Sequence, residues 1–103
     1  MAGLALRLEP VTVTTTVVHV AGELDGATIA QLTDCVSSVE PGSTTVILDL
    51  LGLTFMDSMG IGALVGLHKD LDAAARLLQL RNVNGHPLRV FEMTELDRVL
   101  HLI

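Results

Sequence analysis

The sequence predicts an α/β domain: a single-layer mixed sheet of four to five strands, with about four helices packed mainly on one face. Three observations predict it. Two short strand-like runs near the N-terminus lie close enough to pair as an antiparallel hairpin. After them, strand periods and helical periods alternate along the chain. The strand–helix–strand spacings demand right-handed parallel crossovers.

The first strand is Leu4 to Glu9. Leu4, Leu6 and Leu8 fall on one side and Ala5, Arg7 and Glu9 on the other, and Pro10 ends the run. Thr14 to Ala21, rich in Thr and Val, is the second strand. Gly22-Glu23-Leu24-Asp25 breaks the pattern, and the Asp25 carboxylate is placed to cap a following helix. Ile29, Leu32, Val36 and Val39 recur at helical spacing, which predicts a helix over 26–38, stopped by Pro41-Gly42.

Thr44 to Leu51 is apolar apart from Asp49 and reads as a strand covered on both faces, with a loop from Gly52 to Met56. Ser58 to about Ala75 returns to helical period, with Ile61, Leu64, Val65, His68 and Leu71 on one stripe. Arg76 to Arg81 is a fourth strand and Asn82 to His86 a turn. Pro87 suits the first turn of a helix that buries Leu88 and Phe91. Thr94, with Asp97 three residues on, opens a last helix whose buried face is Leu96, Val99 and Leu100. The order is β-β-α-β-α-β-α-α.

Composition narrows the function. With 103 residues, 50% hydrophobic and 17% charged, the chain is expected to form one domain over 1–103 rather than a disordered tail. A net charge of −6 and the absence of Trp and Tyr disfavour nucleic acid, which wants clustered cations and stacking rings. One cysteine, Cys35, allows neither an intrachain disulfide nor a cysteine zinc site, and reads as a small core residue. His19, His68, His86 and His101 share no metal-binding spacing, so no metal or cofactor is expected. Asp49 is expected to satisfy nearby backbone donors. Asp70, Asp72, Glu92, Glu95 and Asp97 read as solvated helix faces that attract a basic partner. The longest stretch without Asp, Glu, Lys or Arg, Pro10 to Gly22, falls short of the ~20 apolar residues of a membrane helix. Met1-Ala2-Gly3-Leu4 has no basic lead into an apolar run, so a cytoplasmic location is expected.

The most informative stretch is Leu53-Thr54-Phe55-Met56-Asp57-Ser58-Met59-Gly60-Ile61-Gly62. It runs from an apolar strand into a helix that holds Gly60, Gly62 and Gly66. Each glycine inside a helix costs roughly 1 kcal/mol relative to alanine, so three want a reason. Close packing of the helix on the sheet is one; approach of another molecule to bare backbone at the helix start is the other. Asp57 is positioned as the N-cap. No Gly-x-Ser-x-Gly elbow surrounds Ser58, and no phosphate loop is present, so a binding module is expected rather than an enzyme.

This run, Phe-Met-Asp-Ser-x-Gly-x-Gly after an apolar strand, resembles the signature of STAS domains, in particular of bacterial anti-sigma factor antagonists. The Gly22-Glu23-Leu24-Asp25 turn, the element order and the length agree with that family, from Leu4 to about Leu100. The resemblance implies partner switching. An antagonist of this family binds an anti-sigma factor, a serine kinase of the histidine-kinase-like ATPase type, and so releases a sigma factor. The kinase phosphorylates a serine at the start of the second helix, and a phosphatase restores binding. Phosphorylation brings about −1.5 to −2 charge into a packed interface, where desolvation and nearby carboxylates oppose it.

In the family motif the hydroxyl residue directly before the glycine receives the phosphate; here that position is Met59. The resemblance thus leaves three readings. The chain binds an anti-sigma factor but is not switched at this site, where a flexible apolar side chain suits the contact. Or Ser58 serves as the acceptor, although a shift of one residue turns a side chain by about 100° around a helix. Or the domain is a non-switching module, such as the STAS subunit of a lipid-transport ABC complex, or a scaffold. The resemblance puts the partner surface at Gly22, Asp25, Thr54, Asp57, Ser58, Met59, Gly60, Ile61 and Gly62.

Overall fold

The computed structural model describes residues 3–103. Strands β1 (Leu4–Pro10) and β2 (Thr15–Leu24) form the expected antiparallel hairpin, with Leu6 opposite Val20 and Arg7 opposite His19. Helix α1 (Ile29–Ser37), strand β3 (Thr45–Met56), helix α2 (Ser58–Ala73), strand β4 (Leu77–Arg81) and helix α3 (Gly85–Thr94) follow. A 3-10 turn (Leu96–Arg98) and a short strand β5 (His101–Leu102) complete the order. The five strands lie in sequence order across one sheet, and every pairing after the hairpin is parallel.

Alternation along the strands decides the core. Val18 and Val20 of β2, Val46, Leu48 and Leu50 of β3, and Leu78 and Leu80 of β4 point to one face and are buried. They pack with Leu32 and Val36 of α1, Leu64, Leu67 and Leu71 of α2, Phe91 of α3, and Leu100. Full burial of such a side chain stabilises by about 1.5–3 kcal/mol, so this single cluster carries the fold. The opposite face holds Ala5, Arg7, His19, Ala21, Asp49, Leu51 and Arg81.

Five expectations need correction. Asp25 opens a turn instead of capping a helix: its carbonyl accepts from the amides of Thr28 and Ile29, so α1 begins at Ile29 and not at 26. Gly22 to Leu24 and Gly52 to Met56 are strand, not turn and loop. Irregularities in β2 between His19 and Ala21 and between Gly22 and Glu23 absorb the mismatch and let the pairing run on to Leu24 and Met56. The buried stripe of α2 is Gly60, Leu64, Leu67 and Leu71, with His68 only half-buried at its edge. Thr94 caps nothing: its hydroxyl donates back to the Val90 carbonyl at 2.6 Å, and the chain turns at Glu95 in the left-handed region. The last helix is therefore a single 3-10 turn, with Val99 exposed and Leu100 buried, and the α-helices number three among the described residues. No helix among the described residues is long and apolar enough to cross a membrane.

Candidate functional site

The end of β2 and the end of β3 lie side by side, so the two loop motifs of the sequence meet. Gly22 adopts φ +110°, and a β-carbon there would stand 2.0 Å from the Gly3 carbonyl oxygen, so only glycine fits. Its carbonyl accepts from the Thr54 hydroxyl at 3.1 Å. The Leu24 carbonyl accepts from the Asp57 amide at 3.3 Å. The turn beyond is set by Thr28, which is buried: its hydroxyl donates to the Glu23 carbonyl at 2.8 Å and accepts from the Asp25 amide at 3.0 Å. Asp25 Oδ1 accepts from the Ala27 amide at 2.9 Å, an Asx turn that fixes the carboxylate beside α1.

Asp57 caps α2 as expected. It is extended, and its Oδ1 accepts from the amides of Met59 and Gly60, both at 3.0 Å. This spends the free amides on the protein's own carboxylate. Ser58 and Met59 are exposed, Met59 by 54%. Gly60 is buried: a β-carbon there would meet the Leu24 carbonyl oxygen at 2.7 Å and Met56 Cγ at 2.9 Å. Ile61 packs half-buried against the core. Gly62 is exposed, with nothing within 4 Å of where its β-carbon would be, and Gly66 has the same room. Packing therefore accounts for Gly60 but not for Gly62 or Gly66.

The surface that results is acidic and partly apolar. Glu23, Asp25 and Asp57 stand around it, and no Lys or Arg occurs between Arg7 and Lys69. Two neighbours carry no signal in the sequence. Phe55, 37% exposed, stacks on the His86 ring with centroids 4.9 Å apart and planes 13° from parallel. His86 Nδ1 accepts from the Met56 amide at 3.3 Å. A histidine in a predicted turn announces neither contact, because both depend on how α3 docks on β3.

The remaining candidates lie elsewhere. Asp49 sits mid-strand on the helix-free face and is 7% exposed. It accepts from the Leu51 amide, as expected of it, and also from the Arg81 guanidinium and the Asn82 amide. Burial pushes its carboxyl up, but those three donors outweigh burial and hold it below the usual range. Cys35 is half-buried at the edge of the core, and burial pushes its thiol up. The histidines are dispersed: His68 meets His101 edge to face at 5.6 Å, while His19 contacts Glu9.

The STAS domain model matches residues 8–103. The anti-sigma F factor antagonist of Lysinibacillus sphaericus is 36% identical over 87% of this chain and 79% of its own length. The anti-sigma factor antagonist SpoIIAA in its unphosphorylated form is 31% identical, with a TM-score of 0.78 over 96% of this chain and 88% of that one. The phosphorylated form of the Bacillus cell fate determinant SpoIIAA is 32% identical, with a TM-score of 0.72 over 96% of this chain and 91% of that one. A match across nearly the whole chain, on the same mixed sheet, gives one result: this chain belongs to the STAS domain family, among the anti-sigma factor antagonists.

Proposed function

We propose that this chain binds an anti-sigma factor through the joined ends of β2 and β3 and the first turn of α2, and so frees a sigma factor in the cytoplasm. The contact set is Gly22, Asp25, Thr54, Asp57, Ser58, Met59, Gly60, Ile61 and Gly62. In it Thr54, Ser58, Met59 and Gly62 are exposed, while Gly22, Asp57 and Gly60 shape the backbone beneath them. The observation that carries the reading is Met59. It is half exposed at the start of α2, beside the Asp57 cap and across from the turn that follows Asp25, and so offers an adaptable apolar contact next to carboxylates. A partner with an apolar socket and a basic rim fits it; a kinase of the histidine-kinase-like type is the partner the family resemblance supplies.

Met59 has no hydroxyl to phosphorylate, so the complex is not switched there, and a phosphatase has no substrate at that position. Ser58 is the nearest hydroxyl. A phosphate on it would stand next to Asp57 with no cation in the neighbouring sequence to receive it. The role is binding, not turnover.

Isothermal titration against the cognate anti-sigma factor tests this. Met59→Asp is expected to weaken the complex several-fold or more, and unchanged affinity would place the contact elsewhere. Incubation with that kinase and ATP is expected to leave the chain unmodified. A phosphopeptide carrying Ser58 would make that serine the switch.

A further inference from the structure

The helix-free face of the sheet carries a charged row and a cavity that the anti-sigma contact does not use. Register sets Arg7 beside His19, His19 beside Asp49, and Asp49 beside Arg81, so four side chains cross four strands in one line. Both carboxylates near this row are taken. Asp49 Oδ2 accepts from Arg81 Nε at 3.0 Å and Nη2 at 2.9 Å, while its Oδ1 takes the Leu51 and Asn82 amides. Glu9 Oε1 meets His19 Nε2 at 2.6 Å. Two groups remain. Among the described residues Arg7 enters no hydrogen bond or ion pair, and His19 Nδ1 stands 3.8 Å from Asp49 Oδ2, beyond hydrogen-bond reach.

Both groups line a cavity of about 420 Å³. Asp49, clasped by Arg81, also borders it, and the rest of the lining is Ala5, Leu6, Val20, Ala21, Leu51 and Gly52. Ala5 is the cross-strand neighbour of Ala21, and Ala21 of Gly52, so three small residues leave the floor open. Gly52 is held to that size, since a β-carbon there would stand 2.8 Å from that of Ala21. Leu51 is 68% exposed and supplies an apolar wall. A pocket of this volume, mostly apolar with a few convergent polar groups, is the usual form of a small-molecule site.

We propose that this cavity binds a small monoanion with an apolar body, a medium-chain carboxylate. The carboxylate meets Arg7, and the chain lies over Ala5, Ala21 and Leu51. The sign follows from the contacts: Asp49 is clasped by Arg81, and the Arg7 guanidinium is the cation on this row with no hydrogen-bond or ion-pair partner among the described residues. A cationic ligand would face the unpartnered Arg7 guanidinium. A dianion would find one free guanidinium and two carboxylates close by.

The test is a titration of the whole labelled chain followed by amide chemical shifts, with sodium octanoate below its aggregation concentration as the probe. Octylammonium chloride and inorganic phosphate are the controls. Octanoate is expected to move the amides of Ala5, Ala21, Leu51 and Gly52, and the controls to leave them in place. Arg7→Gln is expected to weaken octanoate at least ten-fold, and Ala5→Leu, which fills the floor, to abolish the shifts. Both positions are exposed, and retained dispersion of the spectrum shows that each variant folds. Equal response to octylammonium, full response to phosphate alone, or undiminished binding by Arg7→Gln would overturn the proposal. Shifts that follow protein concentration instead of octanoate would overturn it too, by showing a second copy on this face.

Discussion

Met59 Sδ lies over the backbone of Gly26, so close that a β-carbon on Gly26 would stand 2.8 Å from the sulfur and 3.4 Å from the terminal methyl. The first turn of α2 thus touches the turn before α1 through a side chain, in addition to the backbone bond from Asp57 to Leu24. Gly26 is exposed and has an ordinary backbone conformation, so its lack of a side chain matters only for the room it gives Met59.

Gly26→Ala is therefore expected to redirect the thioether without unfolding the chain. A side chain with three rotatable bonds can move aside, so the stability change stays within about 0.5 kcal/mol. Affinity for the anti-sigma factor is expected to change several-fold. Thermal melting and titration of the same variant separate the two, and unchanged affinity would show that the direction of the Met59 side chain does not matter to the partner.

The glycines of α2 divide into two kinds. Gly60→Ala forces a β-carbon into the Leu24 carbonyl and is expected to destabilise by about 1–3 kcal/mol. Gly62→Ala and Gly66→Ala have open space and are expected to stabilise by up to about 1 kcal/mol each. Urea midpoints measure all three. A stabilised Gly62→Ala that binds the anti-sigma factor more weakly would show that the partner uses the bare backbone there.

Asp49 ties acid stability to the clasp across β3 and β4. Its carboxyl is held below the ordinary 3.8, so the folded chain binds fewer protons at this group than the unfolded chain. The stabilisation is complete above that ordinary value and is lost as pH falls through the lower folded value. Asp49→Ala removes hydrogen bonds to a charged acceptor while Arg81 keeps contact with water, and is expected to cost about 1–3 kcal/mol at neutral pH. The variant's urea midpoint is expected to fall less than the wild type's on acidification from pH 5 to pH 3. Parallel curves would remove Asp49 from the acid response.

Cys35 is expected to be a slow thiol. Burial pushes it above the ordinary 9.0, which leaves little thiolate near neutrality. Alkylation by iodoacetamide at pH 8 is expected to run several-fold slower in the folded chain than in urea. Equal rates would mean that the edge of the core at α1 opens freely.

How much of this was legible depended on how local its causes are. The hairpin, the alternating order and the Asp57 cap follow from periodicity and from a carboxylate one residue ahead of a helix. The far end of β3 did not follow: Gly52 interrupts the strand pattern, and pairing with the irregular end of β2 keeps it extended. The last helix failed because Thr94 bonds backwards to Val90. The site motif was readable as a run of residues, while its supports, Phe55 on His86 and Thr28 under Glu23, are contacts between elements that no spacing encodes. Asp49 was expected to serve the backbone, and its second task comes from the register that sets Arg81 beside it.

Strand β3 outruns β4. Its pairing with β4 ends at Asp49, and from Leu50 to Met56 its outer edge is met by the side chains of Asn84, on the Leu50 and Leu51 carbonyls, and of His86, on the Met56 amide. A neighbouring strand would hold that edge with a ladder that opens as a unit. Two clips can let go one after the other. The end of β3 is thus moored to the core by Leu53 and Met56 and to β2 along one edge, and the edge toward α3 is the one that can unfasten in steps.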